Sequence, residues 1–202
     1  MVGPVAVPET GGLDRREVVR ALLQDRGDML VVSGLGSPSY DLHAAGDHDG
    51  NYYLWGAMGG AALVGFGIAQ AQPQRRVLVL TGDGEQLMGV GGLLTISVVQ
   101  PPNLTIVVLD NGHFGETGMQ TSHTGAGIDL AAIANTAGFR HSGVIRDMEA
   151  VRTLRDQLHQ TTNGAGFYTV KVKAEPLPRS LPPRDAVHIK NRFRSYLGLP
   201  VT

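Results

Sequence analysis

Short apolar runs alternate with longer amphipathic or small-residue segments along most of the chain. The apolar runs have the length of buried strands and lie at 29–32, 52–55, 77–80, 104–109 and 167–172. The segments between them predict helices over 13–26, 58–70, 85–99, 130–137 and 148–160. Loops are predicted at 33–39 and 111–127. This alternation predicts an α/β fold, a doubly wound parallel sheet with helices on both faces.

The end of the chain has a different composition. From residue 175 onward it is rich in proline and then becomes basic, with Lys190, Arg192 and Arg194 close together. We therefore predict one domain over 1–174 and a Pro-rich, basic C-terminal arm over 175–202 that wraps this domain or a partner.

Composition excludes several classes of site. The 202 residues contain no cysteine, which rules out disulfides, thiolate zinc sites, iron–sulfur clusters and cysteine nucleophiles. The 17 basic and 18 acidic side chains give a net charge of −1, so no nucleic-acid or membrane partner is indicated. The first residues lack the features of a signal peptide, and a cytoplasmic protein is expected.

Polar ligand-type residues follow two of the predicted strands. Gly82-Asp83-Gly84-Glu85 follows one strand and Asp110-Asn111-Gly112 follows the next, with 26 residues between Gly84 and Asn111. Carboxyl ends of neighbouring parallel strands meet at one edge of a sheet, where ligands bind. Carboxylate and amide oxygens suit Mg²⁺, which also takes phosphate oxygens. Each segment alone is an ordinary turn, but the pair predicts a site for Mg²⁺ and a diphosphate, with the main-chain N–H groups of Gly84 and Glu85 on phosphate.

The paired segments resemble the thiamine-diphosphate motif, in which Gly-Asp-Gly is followed at a distance by Asn. The resemblance implies that Gly82, Asp83, Gly84 and Glu85 lie at the cofactor, with thiamine diphosphate and Mg²⁺ as the bound groups. It assigns the metal to Asp83, Asn111 and the main-chain oxygen of His113.

A second segment, Gly56-Ala57-Met58-Gly59, is similar to Gly-Thr-Met-Gly of the acetolactate synthases and their relatives. The similarity implies that Gly56 contacts the aminopyrimidine ring. Met58 would prop the cofactor in its bent shape.

Residues 110–124 resemble a segment of sulfopyruvate and phosphonopyruvate decarboxylases, and also one in the thiamine subunit of 2-oxoacid:ferredoxin oxidoreductases. Phe114 stands where tyrosine is more usual, and Phe114 and Gly115 are placed beside the cofactor. His113 and His123 flank this loop and are candidates to touch substrate or to move a proton, since histidine titrates near neutrality. The tail segments 182–185 and 190–193 also resemble the sulfopyruvate decarboxylase β chain.

The glutamate that activates the pyrimidine in these enzymes has no counterpart here. The chain has six glutamates, none in a segment resembling a pyrimidine-binding domain: Glu9, Glu17, Glu85, Glu116, Glu149 and Glu175. We infer a separate pyrimidine-domain α subunit, an active site at the interface, and self-association of the assembly.

The favoured interpretation is the cofactor-diphosphate-binding subunit of a 2-oxoacid decarboxylase acting on a small anionic 2-oxoacid such as sulfopyruvate or phosphonopyruvate. The alternatives are a ferredoxin oxidoreductase β subunit, an acetolactate-synthase-like carboligase half and a non-catalytic cofactor-binding module. The absence of cysteine argues against the ferredoxin oxidoreductase, whose β subunits usually carry cluster-binding cysteines. The acetolactate synthases would normally bring a flavin-binding domain in the same chain, which argues against the carboligase. The intact Asp83, Asn111 and Met58 argue against a loss of cofactor binding.

Overall fold

The computed structural model describes residues 11–160 and 162–201. These residues form a six-stranded sheet in the order β2-β1-β3-β4-β8-β7, with every neighbouring pair parallel. Its strands are β1 (Leu30–Ser33), β2 (Asn51–Tyr53), β3 (Val77–Gly82), β4 (Leu104–Asp110), β7 (His141–Ile145) and β8 (Gly166–Lys171). A small antiparallel hairpin joins β5 (His113–Phe114) to β6 (Gln120–Thr121), with a 3-10 turn at Gly115–Thr117.

Helices pack on both faces of this sheet. They are α1 (Arg15–Leu22), α2 (Ser37–Ala44), α3 (Ala61–Ala71), α4 (Asp83–Met88), α5 (Gly92–Val99), α6 (Leu130–Ala137), α7 (Met148–Leu158) and α8 (Ala186–Tyr196). Side chains of α1, α2 and α7 share one core with Leu78 and Leu80 of β3. Side chains of α3, α5 and α6 share a second core with Val77 and Val79, which point to the other face. The doubly wound α/β architecture is confirmed.

Several elements differ from the sequence predictions. The helix predicted over 85–99 is two helices, because Gly89 lies so close to Gly59 that a Cβ on Gly89 would overlap the carbonyl oxygen of Gly59. The helix predicted from residue 58 begins at Ala61, so Met58 belongs to the preceding turn. The first helix ends at Leu22 rather than near residue 26, where Asp25 and Gly27 have positive φ angles of 57° and 56°.

Besides the β5–β6 hairpin, three elements were not predicted, namely α2, β7 and α8. Residues 33–39 were predicted to be a loop, partly because they contain Pro38. Pro38 instead lies in the first turn of α2, where proline is tolerated, so the helix begins within the predicted loop. Strand β7 lies at the sheet edge and is only partly buried, so it lacks a continuous apolar run. Helix α8 is capped by Asp185, whose side chain accepts from two main-chain N–H groups, and it buries Ile189 and Phe193.

The C-terminal segment packs on the rest of this chain. Phe193 of α8 stacks edge-on against Tyr52 of the edge strand β2, with 5.5 Å between the ring centroids. Arg192 donates to the Asp47 carboxylate at 2.6 Å, and Trp55 Nε1 donates to the Pro183 carbonyl at 2.9 Å. The helix thereby covers the unpaired edge of β2. The domain boundary at 174/175 stays a prediction.

Two glycines of α3 provide a test of the core packing. A Cβ on Gly65 would overlap Cγ2 of Val79, whereas a Cβ on Gly67 would meet nothing within 4 Å. We expect Gly65→Ala to lower the free energy of unfolding by about 1–3 kcal/mol through overpacking. Gly67→Ala on the same helix is expected to raise it by up to about 1 kcal/mol, because alanine is the better helix former. Urea unfolding of both variants checks the pair, and equal effects would contradict the packing described here.

One side of the molecule presents an uncharged apolar surface. Its residues, on α3, α4 and α5, are Leu63, Met88, Leu94, Val98 and Val99, with exposed fractions from 42% to 85%. Leu63 lies against Gly92, so the two helices form a continuous surface, which we call the apolar face. Segments 50–74 and 86–109 contain no Asp, Glu, Lys, Arg or His. Exposed patches of this kind mark interaction sites.

No helix in the described ranges is both long enough and apolar enough to cross a membrane.

Candidate functional site

The candidate site lies at the carboxyl ends of β1, β3 and β4. From β1 the chain runs outward to β2 and then returns to the other side of β1 as β3, so the strand order reverses between β1 and β3. Ligands of open α/β sheets bind at such switch points. A cavity opens there. It is lined by Leu35, Ser37 and Pro38 after β1, by 82–85 after β3 and by Asn111 and 113–117 after β4.

Asp83 is the first residue of α4 and is buried at the base of this cavity, with 3% of its surface exposed. Its Oδ2 atom accepts from the Ser122 hydroxyl at 2.5 Å and from the Thr124 hydroxyl at 2.9 Å. Burial raises the pKa of Asp83 above its ordinary value, the Ser122 hydrogen bond lowers it, and the nearby charge of Asp110 raises it further. The carboxylate therefore stands in an environment that favours its neutralisation by a cation.

A second carboxylate lies beside it. Asp110 is the last residue of β4, and Lys171 stands opposite it in the register of β8. The Lys171 ammonium forms an ion pair with Asp110 Oδ2, while Oδ1 accepts from the Gly112 N–H at 3.0 Å and lies 2.7 Å from the Thr124 hydroxyl that it shares with Asp83. Two carboxylates and one ammonium leave this cluster with one uncompensated negative charge.

Asn111 and His113 form a tight turn beside Asp83. The Asn111 side-chain oxygen accepts from the His113 N–H at 2.9 Å, and His113 Nδ1 lies 2.8 Å from the Asn111 carbonyl oxygen. Gly112 between them has a φ of +69°, which glycine adopts without strain. Asn111 and His113 line the same cavity as Asp83, so the structure brings together the residues to which the motif assigned the metal.

Phe114 covers the Gly82-Asp83-Gly84 turn. A Cβ on Gly84 would lie 2.6 Å from the Phe114 ring, so only glycine fits beneath it. Gly115 also lines the cavity. His123 is exposed and lies outside this lining, with its ring perpendicular to that of Phe114 at 6.4 Å. Of the two candidate histidines, only His113 faces the cavity.

Glu85 turns its side chain away from the cavity. One carboxylate oxygen accepts from the Ala61 N–H at 3.2 Å and the other from the Thr81 hydroxyl at 2.8 Å. The side chain fills the space beside Gly34, where a Cβ would overlap its Oε2 atom. Burial raises the pKa of Glu85. The carboxylate thus joins the start of α3 to β3, and both of its oxygens are engaged within the protein although Glu85 is among the residues that line the cavity.

The turn before α3 lies at the mouth of the cavity. Met58 is 44% exposed and contributes to the lining. Gly56 and Gly59 have φ angles of +75° and +86°, so the turn depends on glycine at both positions. Gly56 lies outside the lining itself.

The residues that were not assigned to the site from the sequence include four that determine its charge and hydrogen bonding. Ser122, Thr124 and Lys171 contact the two aspartates, and Arg15 of α1 lines the cavity with only 6% of its surface exposed. Arg15 is held by Asp41 at 2.7 Å and by the Glu175 carbonyl at 3.0 Å. Lys171 could have been assigned from the sequence, because it lies at the end of a predicted strand as Asp110 does. No sequence pattern could have assigned Arg15 to the site, because it lies far from the motifs along the chain.

These residues fit a cation shared with a diphosphate. The described part of the chain holds no group of three or more His, Asp or Glu side chains that could bind a metal ion by themselves. A divalent ion beside Asp83 and Asn111 would need further oxygen ligands, which phosphates provide. The net negative cluster and the glycine turn beneath Phe114 agree with that requirement.

Comparison with known proteins supports the same interpretation. Residues 40–172 match the family described as thiamine pyrophosphate enzyme, C-terminal TPP binding domain. The chain is 36% identical over 181 residues to sulfopyruvate decarboxylase subunit beta of Methanothermobacter thermautotrophicus, covering 90% of this chain and 94% of that one. It is 44% identical over 172 residues to phosphonopyruvate decarboxylase of Streptomyces hygroscopicus, covering 84% of this chain but 42% of the relative.

Solved structures show the same fold. A putative thiamin diphosphate-dependent enzyme from Mycobacterium smegmatis superposes with a TM-score of 0.69 at 22% identity, covering 84% of this chain and 33% of that one. The chain therefore spans about one third of this structural neighbour. The resemblance inferred from the motifs is confirmed: this chain belongs to the family of C-terminal, thiamine pyrophosphate-binding domains of thiamine pyrophosphate enzymes.

Proposed function

We propose that this chain is the subunit of a 2-oxoacid decarboxylase that binds the diphosphate of thiamine diphosphate together with Mg²⁺. The observation that carries the proposal is the cluster of buried Asp83 and Asp110 with the partly buried Lys171, whose single uncompensated negative charge lies at the switch point of the sheet. When bound, the cofactor supplies the nucleophilic carbon and the electron sink that decarboxylation requires.

The chain's own residues have distinct roles in this proposal. Asp83, Asn111 and the main-chain oxygen of His113 hold Mg²⁺, and the turn 82–85 offers main-chain N–H groups to the phosphates. Phe114 and Gly115 close over that turn and exclude water. Met58 and Gly56 lie toward the pyrimidine end. The His113 imidazole is available at the cavity to hold or move a proton, and His123 would reach substrate only from outside the lining described above.

A separate chain is needed to complete this site. The Glu85 carboxylate is engaged in the interior, and Glu116 at the rim pairs with Arg179 at 3.1 Å. None of the other described glutamates, Glu17, Glu149 and Glu175, lines the cavity. A relative named as a beta subunit has almost the same length as this chain, whereas the phosphonopyruvate decarboxylase is more than twice as long as its matched part. Both facts support a pyrimidine-binding α subunit as the partner.

The apolar face gives that partner a place to dock. Two helices connect the apolar face to the cavity. Helix α4 begins with Asp83 in the cavity and ends with Met88 on the apolar face. Helix α3, which carries Leu63, follows the turn in which Met58 lies at the cavity mouth. A chain that completes the cavity would therefore come to lie beside this uncharged surface. Interface cores are depleted of charged residues and rich in large apolar ones, as this surface is.

A small 2-oxoacid with a second anionic group is the proposed substrate class. Three relatives whose alignments cover 90% of this chain are named as decarboxylases of sulfopyruvate or phosphonopyruvate. Arg15 and Arg16 share the single buried carboxylate of Asp41, which leaves one net positive charge beside the cavity that Arg15 lines and favours an anion there. These names favour a decarboxylase over the ferredoxin oxidoreductase, carboligase and non-catalytic alternatives.

Reconstitution tests the proposal. The chain is mixed with a candidate pyrimidine-binding chain from the same genome, thiamine diphosphate and Mg²⁺, and CO₂ release is measured from sulfopyruvate, phosphonopyruvate and pyruvate. We expect release only when both chains, the cofactor and Mg²⁺ are present, with the dianionic substrates preferred over pyruvate by about tenfold or more, as for a buried charge pair. Preference for pyruvate would overturn the substrate class. Turnover by this chain alone would overturn the need for a partner.

A further inference from the structure

We propose that Ser122 and Thr124 are positioning residues that clamp the Asp83 carboxylate, so that closure of the β5–β6 hairpin and binding of metal and diphosphate depend on each other. The inference rests on the proposed function, since it takes Asp83 to be a metal ligand. We call the two side chains the hydroxyl clamp.

The clamp acts on one oxygen of Asp83. Both hydroxyls contact Oδ2, at 2.5 Å from Ser122 and 2.9 Å from Thr124. Ser122, Thr124 and Asp83 are 1%, 7% and 3% exposed, so bulk water does not compete for these bonds. Hydrogen bonds to an ionised group in such surroundings are the strong ones. Because Oδ2 is engaged, Oδ1 is the oxygen left to a cation, and the carboxylate cannot rotate freely.

A count of protons shows why Thr124 matters more than an ordinary buried hydroxyl. Its Oγ1 atom lies 2.9 Å from Asp83 Oδ2, 2.9 Å from Ser122 Oγ and 2.7 Å from Asp110 Oδ1, and its one proton can be donated to only one of these oxygens at a time. Asp110 has other donors in Lys171 and the Gly112 N–H. Thr124 therefore joins the Asp83 carboxylate to the Asp110–Lys171 pair through one shared hydroxyl.

The clamp residues also close the base of the hairpin. They follow β6 directly, and the Ser122 N–H donates to the Gly112 carbonyl at 2.8 Å, which joins the end of the hairpin to its start. Phe114 within the hairpin lies on Gly84, next to Asp83. The residues at the tip, Gly115–Thr117 together with 118–120, are exposed. The hairpin is thus fastened to the β3–α4 turn at Asp83 and Gly84, while its tip is free of the core.

Thr124→Val removes the hydroxyl while keeping the shape of the side chain, and Ser122→Ala removes the other hydroxyl. Two readouts are used on the full chain. One is amide hydrogen exchange of peptides covering 111–124 without cofactor. The other is the Mg²⁺ concentration that gives half-maximal binding of thiamine diphosphate, measured by calorimetry. We expect exchange to become about tenfold faster and the Mg²⁺ requirement to rise about tenfold, as for one charged hydrogen bond.

Thr169→Val is the matched control. Thr169 on β8 is also buried, and its hydroxyl has no hydrogen-bond partner, so removing that hydroxyl should change neither readout. Thr124→Ser restores a hydroxyl and is expected to return both values to within about twofold of wild type. Rescue by serine separates the role of the hydroxyl from that of side-chain volume.

Two outcomes would overturn the clamp. Unchanged exchange in both Thr124→Val and Ser122→Ala would show that the hydroxyls do not hold the hairpin. Faster exchange with an unchanged Mg²⁺ requirement would show that the hairpin and the metal are not coupled. If the wild type binds no thiamine diphosphate at any Mg²⁺ concentration, with or without its partner, the proposed function fails instead, and hydrogen exchange still decides whether the hydroxyls hold the hairpin.

Discussion

Asp83→Asn is expected to weaken the Mg²⁺-dependent binding of thiamine diphosphate by about a hundredfold or more. The substitution keeps the shape of the side chain but removes its charge, so the cluster with Asp110 and Lys171 changes from one net negative charge to none. A hard divalent cation depends on carboxylate ligands, and a buried carboxylate gives more electrostatic attraction than an exposed one. Calorimetric titration with and without Mg²⁺ measures the effect.

The same variant is expected to leave the cofactor-free chain as stable as the wild type or more stable. Burial raises the pKa of Asp83, which means that the ionised carboxylate costs the folded state free energy. Binding residues commonly carry such a cost. Thermal unfolding without cofactor checks this half of the prediction, with Asp156→Asn as the control, since Asp156 is an exposed aspartate on α7. Wild-type Mg²⁺ dependence in Asp83→Asn would exclude this carboxylate as the metal ligand.

The central strands could be predicted because they are apolar on both faces. β1, β3 and β4 lie between two layers of helices, so their sequences are nearly continuous runs of Val, Leu and Ile, whereas β8 combines Phe, Tyr, Thr and Val, which also favour strands. The edge strand β7 is only partly buried, and its sequence contains no such apolar run. β3 and β4 are neighbouring parallel strands, so their carboxyl ends at Gly82 and Asp110 lie side by side. For this reason the sequence alone could predict that Asp83 and Asn111 belong to one site.

The supporting residues could not be found in the same way. Ser122 and Thr124 reach Asp83 only because a hairpin folds the segment 113–121 back over β4 and α4, and that short hairpin has no periodic pattern in the sequence. The break between α4 and α5 depends on contact of Gly89 with Gly59, which are distant in sequence. Local patterns do not carry this kind of tertiary information.

Glu85 shows how a motif can locate a residue without giving the direction of its side chain. Its place after Gly84 indicated the phosphate site, and its main chain is there. Its carboxylate nevertheless accepts from Ala61 and Thr81 in the interior. A buried carboxylate requires donors, and the free N–H groups at the start of α3 are the nearest ones. The proposed function therefore takes the glutamate for pyrimidine activation from a partner chain, and the surface on which that chain docks can be tested directly.

Introducing a charge on the apolar face is expected to prevent assembly with the pyrimidine-binding chain. Val98 on α5 is 85% exposed, so Val98→Asp is tolerated by the isolated fold, since nothing buried is disturbed. In the complex the new carboxylate would be desolvated without a partner, which weakens the affinity by about a hundredfold or more. The measurement is the dissociation constant of the two chains, with circular dichroism to show that the fold is retained.

Val187→Asp provides the control, because Val187 is also an exposed valine, at 62%, but lies on α8, outside both the cavity lining and the apolar face. If both variants bind the partner as the wild type does, the partner docks on another surface. If Val98→Asp leaves the partner bound but dissociates a dimer of this chain, the apolar face joins two copies instead. The charge-free segment 50–74 reaches the cavity at Met58, and the charge-free segment 86–109 begins directly after Glu85 and reaches the cavity at Leu109. For that reason we expect the pyrimidine-binding chain, rather than a second copy, to cover this surface.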